Sequence, residues 1–194
     1  TQPFINKYVH HLELTDFRKL NRNDFDAIVV GSDQIWRPKY YPTIEKAFLD
    51  FTKGWNIKRI AYAPSFGVDN WEYNDEQTKN CKALVKKFDA VSVREQSGVE
   101  LCERYFDVDA EWVLDPTMLL NSENYIRLFK DNNTPQSDGT LLDYILDRDE
   151  NKVAIINEIA TQTGTKSFQL NSRVEDYSAP LEERVQPAVE TWLR

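Results

Sequence analysis

Histidine, cysteine and methionine are scarce in this 194-residue chain, at two, two and one. The two histidines, His10 and His11, are adjacent and would point to different faces of any regular element. That argues against a multi-histidine metal centre and for solvated or half-packed rings. Cys81 and Cys102 sit in segments that read as helices and show no metal-type spacing. Reduced thiols of a cytosolic protein are the plain reading; the sequence does not decide a disulfide between them. Positive charge is also in deficit: 24 Lys and Arg against 32 Asp and Glu give a net charge of −8 and a pI near 4.9. Nucleic acid and anionic membrane surfaces are poor partners for such a protein, although a local basic pocket for a small anion remains open. No apolar run approaches the ~20 residues needed to cross a bilayer. Thr1-Gln2-Pro3-Phe4 does not begin a signal peptide. No Gly-rich phosphate loop, zinc site or nucleophile elbow is found.

What is present is a soluble, globular pattern, 41% apolar and 29% charged, long enough for a sizeable core. Its most informative stretch runs from Asp26 to Trp36. Ala27-Ile28-Val29-Val30 is a short continuous apolar run ended by Gly31, which predicts a strand buried on both faces of a parallel sheet. Ser32, Asp33 and Gln34 then bring a hydroxyl, a carboxylate and an amide to the carboxyl end of that strand, where open α/β sheets place ligands. The same residues also suit ordinary helix capping.

The pattern repeats along the chain. Residues 1–24 read as a polar entry segment. Trp36 to Pro42 is a loop enforced by Pro38 and Pro42; its rings, with Arg37 and Lys39, could shape a pocket for a sugar or an anion, or simply cover the surface. Ala47-Phe48-Leu49-Asp50-Phe51 reads as a strand. A second strand-then-loop unit spans Arg59 to Gly67. The spacing of Cys81, Leu84, Val85 and Phe88 predicts a helix over 75–87. A third strand ends at Arg94-Glu95 and is followed by a helix from about Ser97. A fourth, Glu111 to Thr117, is closed by Asp115-Pro116, and Ser122 caps a helix through about Lys130. Strands alternating with helices call for an α/β fold, a Rossmann-like parallel sheet flanked by helices. In such a sheet the four polar strand ends converge on one edge. Residues 131–139 form the clearest linker. Beyond it, a strand at Leu141–Asp147, a helix at Glu150–Thr163 stopped by Gly164, a strand at Lys166–Leu170, a loop over Asn171–Pro180 and a helix from Pro187 restart the pattern. The roughly 55 residues after the linker are a poor independent core. The expected division is therefore a first lobe over 1–135 and an incomplete second lobe over 136–194.

These residues resemble a known family. Asp26–Trp36 is similar to the "DAIIVGSDQIWNP" signature of the polysaccharide pyruvyl transferases. Ile60–Gly67 resembles their "SYAASFG" segment, Ala90–Gly98 their "ISVREKSG", and Val113–Thr117 their "VLDPT". The likeness continues more weakly in Tyr144–Asp147 and Val189–Arg194. It implies a GT-B-like two-lobed architecture with the second lobe truncated. It also implies transfer of an enolpyruvyl unit from phosphoenolpyruvate to a sugar hydroxyl pair, giving a pyruvate ketal. No cofactor is implied beyond phosphoenolpyruvate as donor substrate. The acceptor would be a sugar or lipid-linked saccharide of a cell-surface polysaccharide, met in the cytoplasm or at the inner membrane face. Two departures stand out. The family's "NYGA"-type opening has no counterpart here, and its "TDSFHG"-type segment, which carries the expected acid–base histidine, is not matched. The fragment is thus expected to be inactive alone.

Residue by residue, the resemblance matches Arg94 to a donor-site arginine; its guanidinium fork suits a carboxylate or phosphate. Without the resemblance an ion pair with Glu95 would be the simpler reading. Asp33 is the candidate to orient or deprotonate an acceptor hydroxyl, as the catalytic residue, or else a cap. Ser65 is assigned to the donor side. Gln34 and Trp36 are assigned to the acceptor, Trp36 as a stacking ring or equally as a core residue. Asp115 reads as structural. Two alternatives stand beside the transferase: a non-catalytic sugar- or anion-binding fragment, and a GT-B-like glycosyltransferase using a sugar nucleotide. Apolar surface left where the second lobe stops could drive homo-oligomerisation.

Overall fold

In a computed structural model that describes residues 2–131, 138–145, 148–169, 184 and 188–193, the chain enters through a short helix, α1 (Gln2–Tyr8). Two single-turn 3-10 segments follow, opened by Asp16 and Asn21, whose side chains accept the N–H groups of Arg18 and Asn23. Strand β1 (Ala27–Val30) pairs in parallel with β2 (Lys58–Ala61), β2 with β3 (Ala90–Val93), and β3 with β4 (Glu111–Trp112). The sheet order is β1-β2-β3-β4. Parallel neighbours need crossover connections. Helix α2 (Asp75–Val85) supplies one, and α3 (Gln96–Leu101), continued by a π-helical turn over Cys102–Phe106, supplies the next. Helix α2 starts where Asn74 and Gln77 exchange a reciprocal capping box. The expected α/β class with a parallel sheet flanked by helices is what the chain forms.

Right-handed crossovers between strands in consecutive order place their helices on one face of the sheet. Side chains of Val30, Ala61, Val91 and Val93 meet that helical layer, which contributes Cys81, Val85, Leu101, Cys102 and Phe106. The alternating residues Ala27, Val29 and Ala90 are exposed, Val29 at 60%. The expectation that β1 is buried on both faces is therefore corrected. Among the described residues it is an edge strand with a period-two pattern, one face packed and the other open. A continuous apolar run does not reveal this, because which face receives helices is set by strand order.

The core is dominated by rings. Trp36 is 0% exposed and stacks on Phe48 at 4.6 Å and 13°, with Phe66 and Phe106 edge-on. Trp71 lies between Tyr73 and Tyr105, at centroid distances of 4.3 and 4.2 Å. Its indole N–H donates to Thr78 Oγ1, and the Tyr73 hydroxyl donates to the Trp36 carbonyl. A second expectation changes here: the Ala47–Phe51 run is not a strand. Ile44–Phe48 and Asp50–Thr52 are 3-10 turns, broken at Leu49 by a left-handed backbone (φ 59°), and Lys46 pairs with Asp50 one turn on. Short apolar runs buried on every side look alike as strand or helical turn. The fourth strand is likewise only Glu111–Trp112, because the chain turns at Asp115 into a 3-10 segment, Pro116–Leu119.

The described residues divide into two units, Glu13–Leu120 and Thr1–Leu12 with Asn121–Arg194. In the second, α4 (Ser122–Asp131) precedes β5 (Leu141–Asp143), which pairs in parallel with β6 (Ser167–Gln169) through α5 (Glu150–Thr163). Asp149 caps the start of α5, and Gly164, at φ 64°, its end. A last turn, α6 (Val189–Trp192), brings Trp192 edge-on to Tyr144 at 4.7 Å. Most of the 131–139 linker, Leu146-Asp147 and the 171–180 loop lie outside the described residues.

Two outcomes are expected from this packing. Trp36→Ala should cost about 3–5 kcal/mol of unfolding free energy, read as a lowered urea midpoint; a ring standing in solvent would cost well under that. Burial holds the Cys81 thiol far above its usual range and pushes Cys102 up to about 12. Titration with an aromatic disulfide reagent should find neither cysteine in native protein and both after denaturation.

Candidate functional site

Because β1 to β4 are parallel, the segments that leave their carboxyl ends share one edge of the sheet. Gly31 opens the first. A Cβ there would lie 1.9 Å from the Tyr62 carbonyl oxygen, so only glycine permits this approach to β2. The two loops are then stitched together: Ser65 N–H donates to the Asp33 carbonyl at 3.1 Å, and Trp36 N–H to the Ser65 carbonyl at 3.3 Å. With Trp36 fixed in the core, Asp33 and Gln34 are held at the rim.

Arg94, at the end of β3, is the hub. Its Nε donates to Glu95 at 3.0 Å and its Nη1 to Asp115 at 2.9 Å, while Nη2 lies 3.7 Å from Asp33. Three strand ends thus meet at one guanidinium. Partial burial works against the charge on Arg94, but the hydrogen bonds it donates to Asp115 and Glu95 outweigh it, and its pKa is raised. The Asp115 carboxylate is held down to about 2, first by the Thr117 backbone N–H against some burial, then by the Thr117 hydroxyl, Arg94 and Ser32. Asp115 also opens the 3-10 turn, accepting from Thr117 N–H at 3.0 Å. Trp112 Nε1–H donates to the Arg94 carbonyl, tying β4 to the same point. One guanidinium faces three carboxylates, so the cluster is negative overall.

The neighbouring loop holds a second ion pair. Arg37 forks onto Glu72, with Nε and Nη2 both at 2.9 Å from the two carboxylate oxygens, and donates through Nη1 to Gln34 Oε1 at 3.2 Å. The hydrogen bond from Arg37 lowers the Glu72 pKa. The Arg37 guanidinium also lies over the Tyr40 ring, 4.7 Å from its centroid. Gly67, at φ 72°, leaves room for Gln34: a Cβ there would come within 2.1 Å of Gln34 Oε1. Asp33, Gln34, Ile35, Tyr40 and Tyr41 line an open cleft of about 290 Å³.

The structure brings Asp33, Gln34, Ser65 and Arg94 to this edge but separates their tasks. The Asp33 side chain is 87% exposed at the rim, where its carboxylate accepts the Gln34 N–H at 2.7 Å. Ser65 is fully buried: its hydroxyl donates to Glu95 at 2.7 Å and accepts from Gly67 N–H at 2.9 Å, so it orients Glu95 instead of facing a ligand. The reading of Trp36 as a sugar-stacking ring is corrected. Its faces are taken up by Phe48, Phe66 and Phe106, because the loop after β1 turns inward at that residue. The exposed ring beside Gln34 is Tyr40. Sequence reasoning missed Tyr40 as an individual residue, and missed Glu72, which lies 35 positions from Arg37 with nothing local to link the two. Among the described residues, no group of three or more His, Cys, Asp or Glu could hold a metal ion, and no helix is long and apolar enough to cross a membrane.

A family model described as polysaccharide pyruvyl transferase matches residues 1–172. The chain belongs to that family. No curated protein and no solved structure matches it.

The depressed Asp115 pKa has a signed consequence. Its stabilising contribution, about 2 kcal/mol for a shift from an ordinary 3.8 to about 2, is complete above about pH 4 and lost as pH falls through about 2. The stability difference between wild type and Asp115→Asn, followed by urea denaturation, should stay constant from pH 7 to about 4 and shrink below that.

Proposed function

We propose that this member of the polysaccharide pyruvyl transferase family serves ketal formation on a saccharide, with phosphoenolpyruvate as donor, and that Arg94 is its donor anchor. The observation that carries the reading is the convergence of the family-like segments at one guanidinium: Arg94 reaches Asp33, Glu95 and Asp115 from three strand ends. The net reaction joins two sugar hydroxyl oxygens to C2 of the donor. Phosphate leaves, one hydroxyl proton goes to the methylene carbon and the other to phosphate. In this reading Arg94 offers Nη2, the nitrogen with the longest ion-pair distance, to the donor's carboxylate or phosphate. Asp33, 3.7 Å away and largely solvated, gives way and is then released to accept a hydroxyl proton. Glu95, held by Ser65, and Asp115, held by Thr117, keep the fork oriented.

One observation favours the alternative of a non-catalytic sugar-binding protein: the carboxylates around Arg94 outnumber it and oppose an anion. A thermal-shift titration with phosphoenolpyruvate and a set of sugar nucleotides separates the readings. Stabilisation by a sugar nucleotide alone would sink the pyruvyl reading in favour of a glycosyltransferase, and stabilisation by neither would favour a binding protein. Arg94→Ala should weaken phosphoenolpyruvate affinity on the order of 100-fold, or about 3 kcal/mol. Arg94→Lys should recover only part of this, since a lysine restores charge but not the fork. Unchanged phosphoenolpyruvate affinity in Arg94→Ala would remove the residue from the role.

A further inference from the structure

We infer that the cleft beside the end of β1 is a subsite for one uncharged hexose ring of the acceptor, with Tyr40 as its stacking platform; the word acceptor rests on the transferase reading above, the hexose site does not. Three features of the cleft carry this.

The first is a pre-set ring. Tyr40 is 61% exposed, yet one of its faces is covered by the Arg37 guanidinium. Its exposed area therefore belongs to the other face and the edge. Arg37 is itself immobilised by two hydrogen bonds to Glu72 and one to Gln34. A rigid, amphipathic ring with one open face suits the apolar C–H face of a pyranose, and little ordering entropy is lost on binding.

The second is the placement of polar groups around that ring. Asp33 offers a largely exposed carboxylate to hydroxyl donors, its Oδ1 shared with the Gln34 N–H. The Gln34 carbonyl oxygen is engaged by Arg37, which leaves its amide N–H groups to donate to a sugar oxygen. The cleft, at about 290 Å³, stands at the small end of ligand pockets, the size for a single ring.

The third is charge. Arg37 is neutralised by Glu72, while the three carboxylates at Arg94, Asp33 among them, exceed its charge by two, so the cleft that Asp33 borders stands beside a negative surplus. A uronate or a sulfated sugar would be repelled; an uncharged hexose would not. Asp33 also stands at the Arg94 cluster, so a ring seated on Tyr40 presents its hydroxyls beside the proposed donor anchor.

The test uses the chain as it is, titrated by saturation-transfer NMR with the methyl glycosides of glucose, galactose, mannose and glucuronic acid. At least one neutral hexoside should bind. Tyr40→Ala should weaken it about tenfold, Tyr40→Leu similarly, and Tyr40→Phe less than about twofold. The glucuronide should bind at least about tenfold more weakly than the methyl glucoside, and Asp33→Asn should narrow that gap. Failure of every neutral hexoside to bind, unchanged affinity in both Tyr40→Ala and Tyr40→Leu, or equal binding of the glucuronide would each overturn the assignment. A parallel titration with phosphoenolpyruvate keeps the two ideas apart. Donor binding without hexoside binding sinks the subsite and leaves the transferase reading standing. Hexoside binding that depends on Tyr40, without donor binding, does the reverse.

Discussion

The burial of Trp36 is the constraint on which the site depends. Its indole is packed among Phe48, Phe66 and Phe106, its N–H groups donate to the Ser65 and Ala47 carbonyls, and its own carbonyl accepts the Tyr73 hydroxyl. Large aromatic side chains contribute several kcal/mol each when buried. One residue therefore anchors the loop after β1 to the loop after β2 and to the segment before α2. Gly31 makes the approach possible by leaving the Tyr62 carbonyl unobstructed. With the backbone pinned at position 36, the three preceding residues have little freedom, and Asp33 and Gln34 must stand at the rim.

The polar layer above that core is built from carboxylates held by hydrogen bonds. Ser65 fixes Glu95, Thr117 fixes Asp115, and both hold Arg94. Such a network orients a guanidinium more than it adds stability, because desolvation offsets much of the attraction between partly buried charges. An arginine whose Nε and Nη1 are spoken for and whose Nη2 has only a distant, solvated partner is a directed donor. It presents one nitrogen in one direction. The negative surplus around it also bears on partners: an anion that does not displace a carboxylate meets a repulsive field.

How much of this was legible beforehand differs from residue to residue. Gly164 announces the end of α5 by local chemistry, and α4 starts at Ser122 as read, although the side chain that accepts the Asn124 N–H belongs to Asn121; the caps Asn74 and Asp149 were not singled out. The alternation of strands and helices called for parallel pairing, and with it the gathering of Ser32-Asp33-Gln34, Ser65, Arg94 and Asp115 along one edge. The Ala47–Phe51 run misled because burial on every side erases the periodicity that separates strand from helical turn. The open face of β1 was hidden for a related reason: an apolar run looks the same whether helices lie on one side of a sheet or on both.

By itself, then, the sequence determined the α/β class, the alternation of strands and helices outside the Ala47–Phe51 run, the family likeness and the residues that share the sheet edge, since each follows from short-range patterns or from the rule that parallel strands point one way. Only the tertiary structure decided what each of those residues faces. Trp36 and Tyr40 are four positions apart in one aromatic loop with nothing local to rank them. The chain turns one into the core and leaves the other in solvent because Phe48, Phe66 and Phe106 arrive from three other segments to enclose the first, and Glu72 arrives from a fourth to lock Arg37 over the second. Contacts between residues 12 to 70 positions apart carry no local signature, so a side chain's choice between core and cleft is settled only when the whole sheet edge has assembled.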